Sequence, residues 1–211
     1  RRCGWFDGVA IGYAAWLNSD SFVDHNIINM LAMNVDALRI STYYFNQYHE
    51  FDSSNQPTGV GFLMEAGPVW DFDRAFDSTD GRDDNQYWWY GTGDATRYFD
   101  DDAFGSRSMY WWSRVFDDPD FVQSYIDRWT ELREGVLSNA NLEATIDAHA
   151  AELAEAGPRD YDRWYSPRYG DFAGEIQHLK DWLTSRAGWV DSQWLDAPEA
   201  DLELEVSELR L

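Results

Sequence analysis

Lysine is almost missing from this chain: Lys180 is the only one in 211 residues. Basic residues of both kinds are scarce, 16 Lys+Arg against 39 Asp+Glu, for a formal net charge of -23. Such a surface repels phosphate backbones and anionic lipid, which argues against nucleic-acid binding and electrostatic membrane docking. Cysteine is limited to Cys3, so no intrachain disulfide forms and a disulfide-stapled fold is excluded. No apolar run approaches the ~18 residues of a membrane-spanning helix. Internal repeats are absent as well.

What remains is a chain with material for a core. Hydrophobic residues make up 44%, which argues against wholesale disorder. At about 150 residues per domain, the length fits one large domain or two small ones. Asp outnumbers Glu. Excess Asp with scarce Lys fits solubility in high salt, where acidic repulsion is screened; an acidic extracellular protein is the other reading. The 12 Trp raise carbohydrate binding as a further candidate. The start at Arg1-Arg2 rather than Met reads as part of a longer protein.

The pattern along the chain is mostly helical. An apolar stretch to Leu17 is followed by Asn18-Ser19-Asp20-Ser21, which offers side-chain caps for a helix ending near Asn34. Phe22, Val23, Ile27, Ile28, Met30, Leu31 and Met33 recur on it at helical spacing. Residues 40–45, rich in β-branched and aromatic side chains, read as a strand. Asp52 to Pro57 reads as a turn. Gly61–Met64 and Val69–Phe72 read as the returning strand, interrupted at Gly67-Pro68, so a β-hairpin spans 40–73. Residues 77–106 are loop-like. Helices follow: one from Ser108, one opening at Pro119 with Phe121, Val122, Tyr125, Ile126, Trp129, Leu132 and Val136 inside, and one from Asn139 that Gly157-Pro158 stops. A last helix runs over 172–194 with Ile176, Leu179, Trp182, Leu183, Trp189 and Val190 inside. The expected architecture is one α+β domain over 1–196 and an acidic tail or linker over 197–211.

The chemistry concentrates in Asn34-Val35-Asp36 and Gly67-Pro68-Val69-Trp70-Asp71-Phe72-Asp73-Arg74. In an extended strand, positions i and i+2 point the same way, so Asp71 and Asp73 would share a side. The hairpin would bring Asp36 near them. Such an oxygen-rich pocket suits Mg²⁺, which usually arrives with phosphates attached. Asp-x-Asp alone also occurs in glycosyltransferases, phosphatases and plain turns. Asp77 to Asp84 reads as an acidic loop without the EF-hand spacing. His25, His49, His149 and His178 lack ligand spacing, Trp88-Trp89-Tyr90 reads as a core cluster, and Asp100-Asp101-Asp102 as a charged face.

In order along the chain, Ser21-Phe22-Val23-Asp24, Asn34-Val35-Asp36, Ser41-Thr42-Tyr43 and Gly67 to Ala75 resemble the CotH (spore coat protein H) kinase family. So do Trp111-Trp112, Leu132-Arg133, Arg163-Trp164 and Leu179 to Leu183 with Arg186. The resemblance implies an atypical protein-kinase-like fold, here its mostly helical C-lobe with the hairpin carrying the acids. It implies ATP and Mg²⁺ as cofactors and transfer of phosphate to Ser or Thr of a partner protein in a spore coat or at the cell surface. Asp36 matches the catalytic acid of the family's Asn-x-Asp motif, which makes Asn34 a cofactor contact. Asp71 and Asp73 match its metal-binding Asp-x-Asp. Kinases place a metal-binding Asn five residues after the catalytic Asp; here that position is Ser41, a weaker ligand. Arg74 stands where kinases have a glycine. Kinases also use a strand Lys on the nucleotide phosphates. Lys180 lies late in the last helix, expected on a solvated face, so an N-terminal nucleotide lobe is expected outside this chain unless Arg replaces Lys. The rivals are a pseudokinase scaffold for coat or surface assembly and a carbohydrate-active protein using paired carboxylates.

The acidic excess generates a prediction. The Debye length falls from about 10 Å at 0.1 M salt to about 3 Å at 1 M. The melting temperature should therefore rise over that range, equally in NaCl and KCl. A flat or falling melting temperature would sink the salt-adapted reading.

Overall fold

A computed structural model of the chain describes residues 11–14, 16–34, 36–37, 41–46, 52–54, 63–77, 115–116, 118–164 and 170–195. The expected loop over 77–106 and its Trp88-Trp89-Tyr90 lie outside these residues, apart from Asp77. The chain divides into two compact units, Arg1–Trp129 and Thr130–Leu211.

The first unit is organised around helix α2 (Ser19–Ala32), preceded by the single turn α1 (Ile11–Ala14). Helix α2 is buried on several sides: Phe22, Val23, Ile27, Met30, Leu31 and Ala32 are in the core, and so are His25, Asn26 and Asn29. A helix covered this way is a central element rather than a surface one. Met33 ends it in the left-handed region at φ 49, its N–H returning to the carbonyls of Asn29 and Met30. At the other end Asn18 does not cap the helix with its side chain, against the expectation. Its amide instead donates to both carboxylate oxygens of Glu65 at 3.0 Å. Those bonds fix the direction of the amide, and its Oδ1, the atom that would accept a first-turn N–H, makes no capping bond.

That bond fastens a two-stranded antiparallel sheet, β1 (Tyr44–Asn46) and β2 (Met64–Ala66), to the start of α2. Tyr44 faces Ala66, Phe45 faces Glu65 and Asn46 faces Met64. On its free edge β2 meets residues 16–18, with Met64 N–H on the Trp16 carbonyl at 2.7 Å and Asn18 N–H on the Met64 carbonyl at 3.0 Å. Ser21 Oγ takes the Ala66 N–H. The Tyr44 ring stacks on Phe22 at 5.6 Å. The hairpin is shorter than expected. Its returning strand stops at Ala66, because Gly67 adopts φ 135 and Pro68 has no N–H to extend the ladder. Val69–Phe72 is therefore not a strand.

Helix α3 (Pro119–Glu134) opens at Pro119, as expected. The Asp118 carboxylate accepts the Asp120 N–H at 3.0 Å and the Tyr13 hydroxyl at 2.6 Å. Burial, reinforced by that carboxylate, pushes the Tyr13 hydroxyl well above its ordinary pKa. Phe121, Tyr125 and Trp129, four apart, are buried. Phe116 packs edge-on against Phe121 and Tyr125. Val136, expected inside, is exposed in the turn after the helix has ended.

In the second unit, α4 (Asn139–Glu152), α5 (Ala156–Trp164) and α6 (Phe172–Trp194) follow. Ser138 and Asp171 cap α4 and α6 through the N–H groups of Asn141 and Gly174. Gly157-Pro158 was expected to stop a helix, yet it lies in the first turn of α5. Proline is tolerated there because first-turn N–H groups have no helical partner. The buried face of α6 is Trp182, Leu183, Arg186, Ala187 and Val190. Lys180 is not on a solvated face; it is ion-paired with Asp147 of α4 and mostly covered. Among the described residues no helix is long and apolar enough to cross a membrane.

Arg133 is the polar tie of this unit. Its guanidinium donates to both oxygens of Asp191, to the Leu137 carbonyl and to Asn139 Oδ1. The pair is mostly covered, 14% and 25% exposed. Losing a charged donor of this kind costs about 2 kcal/mol. Arg133→Met should lower stability by that amount in urea denaturation, and a loss below about 0.5 kcal/mol would contradict the assignment.

Candidate active site

The site is built where the chain leaves α2. Asn34, two residues past the helix, is fully buried. Its Oδ1 accepts the Asp36 N–H at 3.4 Å. Its Nδ2 donates to the backbone carbonyls of Trp70 at 3.4 Å and Asp71 at 3.2 Å, and to Asn29 Oδ1 at 3.3 Å. An amide is suited to this because it carries two donors and an acceptor on one short side chain. One residue thereby joins the end of α2 to a segment more than thirty positions away. Asn29 in turn donates to the His25 carbonyl at 2.8 Å and approaches His25 Nδ1 at 3.4 Å. A buried polar chain thus runs from His25 through Asn29 and Asn34 to residues 70–71.

Asp71 sits at φ 62, a left-handed conformation that Asp adopts more readily than most residues. Its Oδ2 accepts the Ser41 hydroxyl at 3.3 Å, while Ser41 N–H bonds the Asp36 carbonyl at 3.1 Å. The Asp36 side chain is 11% exposed and ion-pairs with Arg74, Nη1 to Oδ2 at 3.3 Å. Phe76 N–H returns to the Ala32 carbonyl at 3.0 Å, closing the segment back onto α2. Among the described residues, the non-glycine positions with positive φ are Met33, Asp71, Phe76 and Asp77. All four lie at the end of α2 or in the 71–77 segment, and unusual backbone of this kind persists only where its surroundings hold it.

Of the residues singled out from sequence, Asn34, Asp36, Ser41 and Asp71 are therefore joined in one hydrogen-bonded group. Asp73 lies beside them in chain order, exposed, in the turn at 73–74, with no hydrogen bond to the described residues. The route to this arrangement differs from the expected one. Asp71 and Asp73 do not share a strand face; a left-handed residue and a turn set their directions instead. Asn34, expected to contact a cofactor, makes its hydrogen bonds to Asn29, Asp36, Trp70 and Asp71. Arg74, seen in the sequence as a replaced glycine, is the described cation that pairs with Asp36. His25 and Asn29 were missed. Their signal was two polar residues four apart among the apolar positions of the helix.

No group of three or more His, Cys, Asp or Glu among the described residues could hold a metal ion. Mg²⁺ needs fewer, since it keeps several waters and is bound through one or two carboxylates plus substrate phosphates. Asp71 and the exposed Asp73 have oxygen donors of that kind.

A family model described as CotH kinase protein matches residues 9–190. Adenylosuccinate synthetase of Pelotomaculum thermopropionicum is 35% identical over 71 residues, which is 34% of this chain but only 16% of that protein. No solved structure matches.

The buried chain generates a pH prediction. Burial lowers the His25 pKa from 6.5 to about 4. Between these values the unfolded chain binds a proton that the folded one refuses, so stability rises with pH across the window. Above pH 6.5 the contribution is complete, and it is lost as pH falls towards 4. The shift corresponds to roughly 3 kcal/mol. His25→Gln should flatten the stability slope between pH 6.5 and 4.5, measured by urea midpoints. An unchanged slope would remove His25 as its source.

Proposed function

The chain belongs to the CotH kinase protein family, and we propose that it is the catalytic part of an atypical protein kinase. It transfers phosphate from ATP to Ser or Thr of a coat or cell-surface protein. In this reading its helices and short hairpin correspond to a kinase-like C-lobe. The observation that supports it is the hydrogen-bonded group tying Asn34 and Asp36 to Asp71 and Arg74.

The roles follow from the chemistry. Phosphoryl transfer asks a protein mainly to position its reactants and to balance charge. Asp36, held through its own N–H by Asn34, orients the acceptor hydroxyl and takes its proton. Asp71 and Asp73 would hold Mg²⁺, which when bound neutralises phosphate charge. Asn34 keeps the 70–71 backbone in place, and Ser41 orients the Asp71 carboxylate. Asp73, exposed in its turn, is accessible to an incoming metal–nucleotide complex. In a chain of net charge -23, a bare polyphosphate would be repelled.

The test is transfer of radiolabelled phosphate from ATP to a Ser/Thr-containing acceptor. Asp36→Asn and Asp73→Ala should each lower the rate at least ~100-fold, the scale of a lost acid–base group. Full activity in Asp73→Ala would refute its metal role. Nucleotide binding without any transfer would instead favour a pseudokinase scaffold, and release of sugar from a polysaccharide a carbohydrate-active protein.

A further inference from the structure

We infer that Arg74 is a catalytic residue of this transfer: its guanidinium leaves Asp36 and takes the phosphate in flight. The inference rests on the kinase reading and adds to it the identity of the cation.

Transfer spreads negative charge over the three equatorial oxygens of the moving phosphoryl group, and a kinase answers it with positive charge. The single lysine, Lys180, is paired with Asp147. The described cations of the first unit are Arg74 and Arg128. Arg128 holds Asp24 in a two-point pair, at 2.7 and 3.2 Å. Arg74 directly follows Asp73 in the chain and ion-pairs with Asp36, so of these two cations it is the one in contact with the proton acceptor.

The pair it makes is suited to exchange. Nη1 and Oδ2 are 3.3 Å apart, with the Arg74 side chain 32% and the Asp36 side chain 11% exposed, so the guanidinium is the partner with a path to solvent. A guanidinium meets a phosphate through two parallel N–H···O bonds, a stronger and more directional contact. Exchange also serves Asp36. While the guanidinium sits on Oδ2, that oxygen is committed to it; once Arg74 moves to the phosphate, the carboxylate faces the hydroxyl.

In the step itself the acceptor oxygen forms a bond to the γ-phosphorus. The bond from that phosphorus to the bridging oxygen breaks, and ADP departs with the electron pair. The hydroxyl proton passes to Asp36. Arg74 changes partner but gains and loses no proton.

The experiment compares the wild-type protein with Arg74→Gln and Arg74→Lys, with Mg²⁺ present. ATP and ADP binding are measured by calorimetry, phosphate transfer by radiolabel, and folding by thermal melting. Arg74→Gln should bind ATP about tenfold more weakly, leave ADP affinity within about twofold, and slow transfer by at least ~100-fold, in line with arginines that contact the moving phosphate. Arg74→Lys keeps the charge without the two-point geometry and should recover part of the loss. If Arg74→Gln transfers phosphate at the wild-type rate with unchanged ATP binding, the inference is overturned while the kinase reading stands. Faster transfer in that variant also overturns it, since Arg74 would then be a brake on Asp36. If Arg74→Gln fails to melt cooperatively, Arg74→Lys decides, and wild-type preference for ATP over ADP together with wild-type transfer overturns the inference. A wild-type protein that binds ATP but transfers no phosphate removes the kinase reading and this inference with it.

Discussion

The side-chain amide of Asn34 is the constraint on which the site depends. It is fully buried, and its bonds run to three segments: Asn29 inside α2, the Asp36 N–H just ahead, and the carbonyls of Trp70 and Asp71 far along the chain. Removing it would take the donor from the part-buried carbonyls of Trp70 and Asp71, at about 1 kcal/mol for each bond lost. An Asp in its place would turn a carboxylate towards those carbonyls with no donor to offer. The left-handed turn at Asp71, the Ser41 contact and the approach of Arg74 to Asp36 are all built on the backbone this amide holds.

Around that point the molecule manages an acidic surface with few cations. Several described basic side chains are spent on carboxylates in ways that tie elements together. Arg128 pairs with Asp24 in the first unit, and Arg133 with Asp191 and Lys180 with Asp147 in the second. Arg186 is fully buried beside Trp189, its guanidinium 4.9 Å from the ring centroid. Each cation does structural work in its own neighbourhood, and Arg74 does so at the site. Scarcity makes placement informative: a guanidinium next to Asp36 is not one of many surface charges.

Much of the helical framework was legible because its signals are local. Periodicity and the absence of internal breakers marked α2, Pro119 marked the start of α3, and the 172–194 helix has the bounds its apolar spacing implied. Where local signals compete, the sequence was ambiguous. Gly157-Pro158 can end a helix or begin one, and it begins α5. Val69 to Phe72 carries strand-like residues, yet Gly67 and Pro68 deny it the ladder. Asn18 has the chemistry of a cap, but its amide is turned to the Glu65 carboxylate and its oxygen accepts no first-turn N–H. His25, Asn29 and Arg186 read as ordinary helix residues until their surroundings are known.

The sequence by itself determined the helical spacing, the acidic charge, the family of the chain and the two motifs in which Asp36, Asp71 and Asp73 stand. These follow from residue identity and near-neighbour spacing. Only the tertiary structure decided that Asn34 faces inward as a brace, that Asp71 meets Ser41 from a left-handed turn, and that Arg74 lies on Asp36. Each of those contacts joins residues thirty or more positions apart. A buried polar group takes whichever partner the fold brings within about 3 Å, and spacing along the chain does not encode that choice.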